Sequence, residues 1–351
     1  MRVGASRLAR RRDSARHRRV SIVRRIQILC PVFREEAGIA EFHGKLVAAT
    51  KSLRQRYALS YMYVVDPAGD RSEAILADLA ARDPDVEVIV MSRRFGHQAA
   101  LLAGIDASDA DALVMLDSDG QHPPELIATL VEKWEGGAQI VQTLRQDGAE
   151  TGLLKRATSA WFYRILSSIG SIELRGGAAD YRLLDRCVVQ VLRDHLKERN
   201  AFLRGLVAWV GFNVAHVEFQ PLKREHGASN YRPGILFNFA LQGISSFSKT
   251  PLRLCTIAGL AMSALSLLAG ASLVLAYLVG EIDVPGWASI ITFMALLGGM
   301  QLFFMGIIGE YLGQVFDEVK QRPRYIVAEH HGKGAGLEAG ANTTDHLGTR
   351  Q

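Results

Sequence analysis

Ala112-Leu113-Val114-Met115-Leu116-Asp117-Ser118-Asp119-Gly120-Gln121-His122-Pro123-Pro124 is the stretch on which the fold turns. Five apolar residues read as a buried strand, and two carboxylates one residue apart follow its C-terminal end. At one rim of a sheet, Asp117 and Asp119 repel each other unless a cation joins them. A divalent ion that prefers hard oxygen ligands, Mg2+ or Mn2+, removes that repulsion and bridges a diphosphate, with the Gln121 amide as a further ligand. Pro123 and Pro124 stiffen the exit and start the next helix. Alone, an Asp-x-Asp triplet is also what a solvated turn looks like. Its position directly after a hydrophobic strand favours the metal reading.

Upstream, Ile26 to Val32, Leu59 to Val65 and Val86 to Met91 read as further strands. Between them Glu35 to Arg56, Ser72 to Arg82 and Gln98 to Ser108 have helical spacing, so an open α/β sheet is expected. Ligands of such sheets sit beyond the C-terminal strand ends. Pro31-Val32-Phe33-Arg34-Glu35-Glu36 follows the first strand and Asp66-Pro67-Ala68-Gly69-Asp70 the second. Ser92-Arg93-Arg94-Phe95-Gly96-His97-Gln98 follows the third and opens a helix. It reads equally well as an ordinary capped helix start or as amides and arginines holding anionic groups.

Downstream, Leu254 to Gly280 and Val284 to Gly309 carry no charged side chain. A helix of about 25 residues is roughly 37 Å long, against a hydrocarbon core of about 30 Å, so both runs reach across a bilayer. Only Glu281, Ile282, Asp283 and the turn formers Pro285 and Gly286 separate them. Lys249 and Arg253 precede the pair, and Lys320, Arg322 and Arg324 follow it. Positive flanks stay inside, which predicts a hairpin with its acidic tip outside. Both termini and the α/β domain then lie on the cytoplasmic side of the inner membrane. Pro233 to Phe247, rich in Ile, Leu and Phe, reads as an interfacial amphipathic stretch.

The net charge is +5 over 351 residues, and the basic excess is concentrated at the start. Arg2, Arg7, Arg10, Arg11, Arg12, Arg16, Arg18, Arg19, Arg24 and Arg25 face a single Asp13, without an apolar stretch of signal-peptide length. A disordered or lipid-touching arm is expected rather than a nucleic-acid one, because nothing downstream looks like a nucleic-acid module. Cys30, Cys187 and Cys255 are scattered and odd in number, implying neither a disulfide nor a zinc framework.

Pro31 to Glu36, Ser92 to Gly104, Asp117 to Glu125, Asp180-Tyr181-Arg182-Leu183, Glu198-Arg199, Trp209-Val210-Gly211-Phe212 and Phe247 to Arg253 together resemble glycosyltransferase family 2. Within it they are similar to the polyprenyl-phosphate branch of bactoprenol glucosyltransferases and dolichol-phosphate mannose synthases. The resemblance covers roughly residues 26 to 326, including Gly309-Glu310-Tyr311-Leu312 and Lys320-x-Arg322-Pro323. It implies a Rossmann-like GT-A catalytic domain, followed by an interfacial amphipathic helix and a two-helix transmembrane hairpin. It also implies an inverting transfer of a hexose from a UDP-sugar to polyprenyl (undecaprenyl) phosphate, by a homo-oligomer such as a tetramer that binds no nucleic acid.

By the same resemblance Pro31, Phe33, Glu35, Val65, Asp66, Asp117, Ser118 and Arg145 bind the nucleotide sugar, and Asp117, Asp119 and Gln121 hold the metal. Arg224, Ser229 and Asn230 meet the phosphates and acceptor. Asp180, Asp119 and Arg182 carry the catalysis, with Asp180 next to the transferred sugar as an orienting group or a general base. The expected boundaries are a basic arm at 1–25, the GT-A domain at 26–230 and the interfacial segment at 231–250. The hairpin follows at 251–313, with spans at about 254–280 and 286–309, and then a cytoplasmic tail at 314–351, disordered beyond Ile326.

Besides Gly120, which stands for a usual Leu, three positions depart from the family pattern. Arg34 stands for the usual Asn, Pro67 for the second Asp of an Asp-Asp-Gly-Ser turn, and Asn230 for the Lys between Ser229 and Tyr231. They motivate the competing reading of a catalytically weakened, membrane-bound scaffold, against which the retained Asp117, Asp119, Gln121, Asp180, Arg182 and Arg224 argue. A processive polysaccharide synthase needs further membrane helices and a Gln-x-x-Arg-Trp motif, and the chain has neither.

Overall fold

The structure, a computed structural model, describes residues 23–146, 177–199, 201–222, 250–279 and 286–332. Arg224, Ser229, Asn230, the amphipathic stretch and most of the basic arm lie outside the described residues.

The strands are β1 (Arg25–Val32), β2 (Ala58–Val65), β3 (Val86–Met91), β4 (Ala112–Met115), β5 (Ile140–Arg145), β6 (Ala178–Asp185), β7 (Val214–Phe219) and β8 (Val327–His331). They form one sheet in the order β7-β5-β6-β4-β1-β2-β3-β8. β1 pairs in parallel with both β2 and β4, and β2 with β3. This half matches the alternation expected from the sequence, with α1 (Ile39–Thr50), α2 (Ser72–Arg82) and α3 (His97–Ala107) as the connecting helices. α4 (Leu126–Glu135), α5 (Arg186–Asp194) and α6 (Leu203–Trp209) complete the layers among the described residues. On the other side of β4 the sheet is mixed. β6 runs antiparallel to β4 and β5, and β7 runs parallel to β5.

Alternation along β1 divides the core. Ile26, Ile28, Cys30 and Val32 pack with Phe42 and Leu46 of α1 and Leu130 and Trp134 of α4. Leu29 points the other way, into a cluster with Leu101 and Ile105 of α3 and Val188 and Leu192 of α5. A parallel sheet covered on both faces needs such near-continuous apolar strands. α3 lies so close to β1 that a Cβ on Gly104 would sit 2.2 Å from Leu29 Cδ1.

Two helices leave this body, α7 (Thr250–Val279) and α8 (Trp287–Lys320), of 30 and 34 residues. Both are long and apolar enough to cross a membrane, and they expose Leu260, Leu267, Leu268, Leu302 and Phe303. α8 runs past the expected end near residue 309 to an αL cap at Gln321, φ 49°. The first charge, Glu310, limits the apolar span but not backbone hydrogen bonding, so the helix continues as a juxtamembrane extension.

The expected disorder beyond Ile326 is corrected for residues 327–332; the rest of the tail lies outside the described residues. Val327–His331 is β8, antiparallel to β3. An uncovered β3 would leave a row of unpaired backbone groups at the sheet edge. β8 pairs them, helped by Ser92 N–H donating to Ile326 O at 2.8 Å and by His330 Nε2 at 2.7 Å from Glu87 Oε1. The sheet therefore draws on chain from both sides of the hairpin and does not close at residue 230.

Candidate active site

β1 and β4 are neighbours, but the chain leaves them toward opposite halves of the sheet, which opens a crevice beyond their C-terminal ends. Leu116 N–H donates to Leu29 O at 2.9 Å, and Ser118 Oγ donates to Pro31 O at 2.8 Å. The carboxylate triplet is thereby pinned against the turn after β1. The resulting cleft, of about 250 Å³, is lined by Pro31, Phe33 and Glu35 on one side and Asp117, Ser118 and Asp119 on the other. Asp66, Arg94, Gly96 and His97 close its third wall.

That wall is tied together by Asp66. Its carboxylate accepts the backbone N–H groups of Phe95 at 2.7 Å and Gly96 at 3.0 Å, so it fastens the end of β2 to the start of α3. Gly96 has φ 97°, a left-handed conformation that favours glycine. Arg94 lies 4.4 Å above the Phe33 ring, bringing a cation to the cleft beside the N-terminus of α3. An anionic group is stabilised in such a place by amides and charge together.

Next to His97 sits Asp180 on β6, 5% exposed and outside the cleft lining. Arg204 of α6 grips it with two bonds, Nε to Oδ1 at 2.9 Å and Nη2 to Oδ2 at 2.7 Å, and Arg182 Nη2 adds a third at 2.9 Å. His97 Nε2 is 3.6 Å from both Asp180 Oδ2 and Asp117 Oδ1, linking the buried acid to the rim. Burial works to raise the pKa of Asp180, but His97 and Arg204 outweigh it and hold the carboxyl well below the usual range. Burial likewise opposes charge on His97, yet Asp180 and Asp117 keep its pKa above the ordinary value. Arg182, fully buried, is pulled down to about 10 by desolvation against the attraction of Asp180. At neutral pH a desolvated carboxylate gripped by Arg204 and Arg182 thus sits behind His97, which lines the cleft.

The turn after Asp119 is held at several points. Gln121 N–H donates to Asp119 Oδ1 at 3.1 Å, Leu222 N–H donates to Gln121 O at 3.0 Å, and Tyr181 OH donates to Pro123 O at 3.1 Å. Gly120 bends through φ 74°. No group of three or more His, Cys, Asp or Glu with metal-holding geometry occurs among the described residues. Asp117 and Asp119 both line the cleft and are the oxygen donors a hard cation completed by substrate phosphates would use, whereas Gln121 is not among the cleft-lining residues.

Of the residues expected from the sequence, Pro31, Phe33, Glu35, Asp66, Asp117, Ser118 and Asp119 meet at the cleft. Val65 is buried at the end of β2, and Arg145 ends β5; neither is among the cleft-lining residues. Arg182 stands behind Asp180, 1% exposed and bonded to that carboxylate and to Ala179 O, so it supports the acid from within the core. Arg204 was not foreseen, because an isolated arginine on a short helix carries no local signal. His97 and Arg94 belong to a motif already singled out, but spacing alone did not assign them a partner.

The family description "Glycosyl transferase family 2" matches residues 28–191, and "GtrB C-terminal hairpin" matches residues 250–315. The SfII prophage-derived bactoprenol glucosyl transferase of Shigella flexneri is 38% identical over 307 residues, covering 88% of this chain and 98% of that one. A prophage bactoprenol glucosyl transferase homolog of Escherichia coli K12 is 36% identical over 303 residues, 86% of this chain and 98% of that one. Among solved structures, glucosyl-3-phosphoglycerate synthase of Mycobacterium tuberculosis, in complex with Mn2+, UDP-glucose and phosphoglyceric acid, overlaps 63% of this chain and 78% of its own. The TM-score is 0.40 and the identity 19%.

Proposed function

The chain belongs to glycosyltransferase family 2, and from that premise we propose that it transfers a glucosyl group from UDP-glucose to polyprenyl (undecaprenyl) phosphate at the cytoplasmic face of the inner membrane. The observation that carries this reading is the juxtaposition of a carboxylate-rimmed cleft with a buried, cation-gripped acid, on a chain that also has two membrane-length helices.

In this reading the nucleoside lies along Pro31, Phe33 and Glu35, with Arg94 and the amides opening α3 near its phosphates. Asp117, Asp119 and Gln121 would hold Mg2+ or Mn2+, which when bound supplies positive charge to the diphosphate. Asp180, kept ionised by His97, Arg204 and Arg182, orients the sugar or acceptor. It need not be a strong base, because a phosphate monoester with a second pKa of about 6 is already largely ionised near neutrality. The acceptor phosphate oxygen attacks the anomeric carbon as the bond to the departing UDP breaks, which inverts the anomeric configuration. Arg224, Ser229 and Asn230 are assigned to the acceptor side on the resemblance.

The test is to incubate membranes containing the protein with polyprenyl phosphate, Mg2+ or Mn2+ and a panel of labelled nucleotide sugars. Labelled lipid formed from UDP-glucose, and abolished by EDTA and by Asp119→Ala, is the expected result. No transfer from any donor by folded, inserted protein would overturn the reading in favour of a scaffold.

A further inference from the structure

The ring of His122 has no role in the reaction described above, yet its placement is unusual. The residue is 8% exposed, and its Nδ1 is buried with no hydrogen-bond partner among the described residues. The nearest acceptor recorded for it is Oδ2 of Asp117, at 3.6 Å, just beyond hydrogen-bond range. The ring cannot easily turn away. It packs against Tyr181 at 5.3 Å and Phe219 at 5.5 Å between ring centroids. Its backbone neighbours are fastened by Leu222 N–H to Gln121 O and by Tyr181 OH to Pro123 O. A buried, unpaired polar atom costs stability unless a partner arrives. The Asp117 carboxylate, 28% exposed, need approach by only roughly half an ångström to reach an ordinary bond length of about 3.0 Å.

We propose that His122 is a positioning residue: donating from Nδ1 to Asp117 Oδ2, it fixes that carboxylate so that Oδ1 faces the cleft as a metal ligand. This rests on the metal site in the proposed function. Outer partners of ligating carboxylates commonly set metal affinity in this way. The competing reading is that His122 only fills space between Tyr181 and Phe219.

Two substitutions separate the readings. His122→Phe keeps the ring and its packing but removes the donor, whereas His122→Asn loses the ring and places an amide N–H near the position of Nδ1. Mn2+ binding to the purified full-length protein in detergent, with UDP present and a protein-free UDP sample as blank, is measured by electron paramagnetic resonance, with thermal unfolding checked for each variant and Asp117→Ala as control. The expected result is Mn2+ affinity about 10- to 100-fold weaker for His122→Phe, near wild type for His122→Asn, and absent for Asp117→Ala. Wild-type affinity in His122→Phe, or equal loss in both variants, overturns the positioning role while the metal site stands. Absence of Mn2+ binding by the wild type, or its persistence in Asp117→Ala, overturns the metal site and this inference together.

Discussion

Arg34 sits at φ 59°, in a left-handed conformation that costs an ordinary L-residue about 1–2 kcal/mol and that Asn tolerates better. The departure from the family's Asn therefore has a backbone consequence as well as a chemical one. The side chain is exposed and makes only a 5.4 Å approach to the Phe33 ring. Arg34→Asn is expected to stabilise the protein by about 1 kcal/mol, read as a higher thermal midpoint in detergent; an unchanged or lower midpoint would show that the Phe33 contact outweighs the strain. Asp180 gives a pH prediction. Its folded pKa lies well below the unfolded value of about 3.9, so its contribution is complete above that value and is lost as pH falls through the folded pKa. Arg204→Met removes two of its bonds and raises the folded pKa toward the unfolded one, so the variant should be less stable at neutrality and lose less stability on acidification than the wild type. Denaturation midpoints followed from neutrality to about pH 3 test this, and a constant gap between the two curves would contradict it.

At the level of elements, α3 ties the cleft to the core of the sheet. Its first residue, His97, faces Asp117 and Asp180, while Gly104 near its end lies against Leu29 of β1. Gly104→Ala must displace the buried Leu29 side chain or shift the helix, and is expected to destabilise by about 1–3 kcal/mol. It should also lower transferase activity more than stability alone explains, because His97 shifts with the helix. Thermal unfolding and turnover measured on the same preparation check both parts. The parallel strands and α1 to α3 were legible because period-2 and period-3.6 patterns are written in neighbouring residues. β8 was not. Val-Ala-Glu-His-His has little apolar content, and it forms a strand because the edge of β3 supplies partners for its backbone.

At the level of the whole molecule, the chain returning from α8 is clamped to the catalytic layer. Arg324 Nη2 lies 3.1 Å and Tyr325 OH 2.8 Å from Asp106 Oδ2 at the end of α3, Arg324 Nη1 donates to Leu196 O at 3.2 Å, and Arg199 N–H donates to Glu318 Oε1 at 2.6 Å. Side chains of Arg324 and Asp106 are only 7% and 19% exposed. Arg324→Ala leaves the Asp106 carboxylate without its cation and is expected to cost about 3 kcal/mol, whereas Tyr325→Phe should cost about 1 kcal/mol. Equal, small effects in thermal unfolding would mean that the clamp is solvated and does not join the juxtamembrane segment to the site. The amino-acid sequence by itself determined the parallel half of the sheet, the carboxylate pair after β4 and two membrane-length helices, because each is encoded in the order of adjacent residues. Only the tertiary structure decided that Arg204 grips Asp180, that His97 spans the two acids, that β8 closes the sheet and that His122 points at Asp117. These pairings depend on strand order and on burial, which strips water from charged and polar groups and leaves them to find partners far away in the chain.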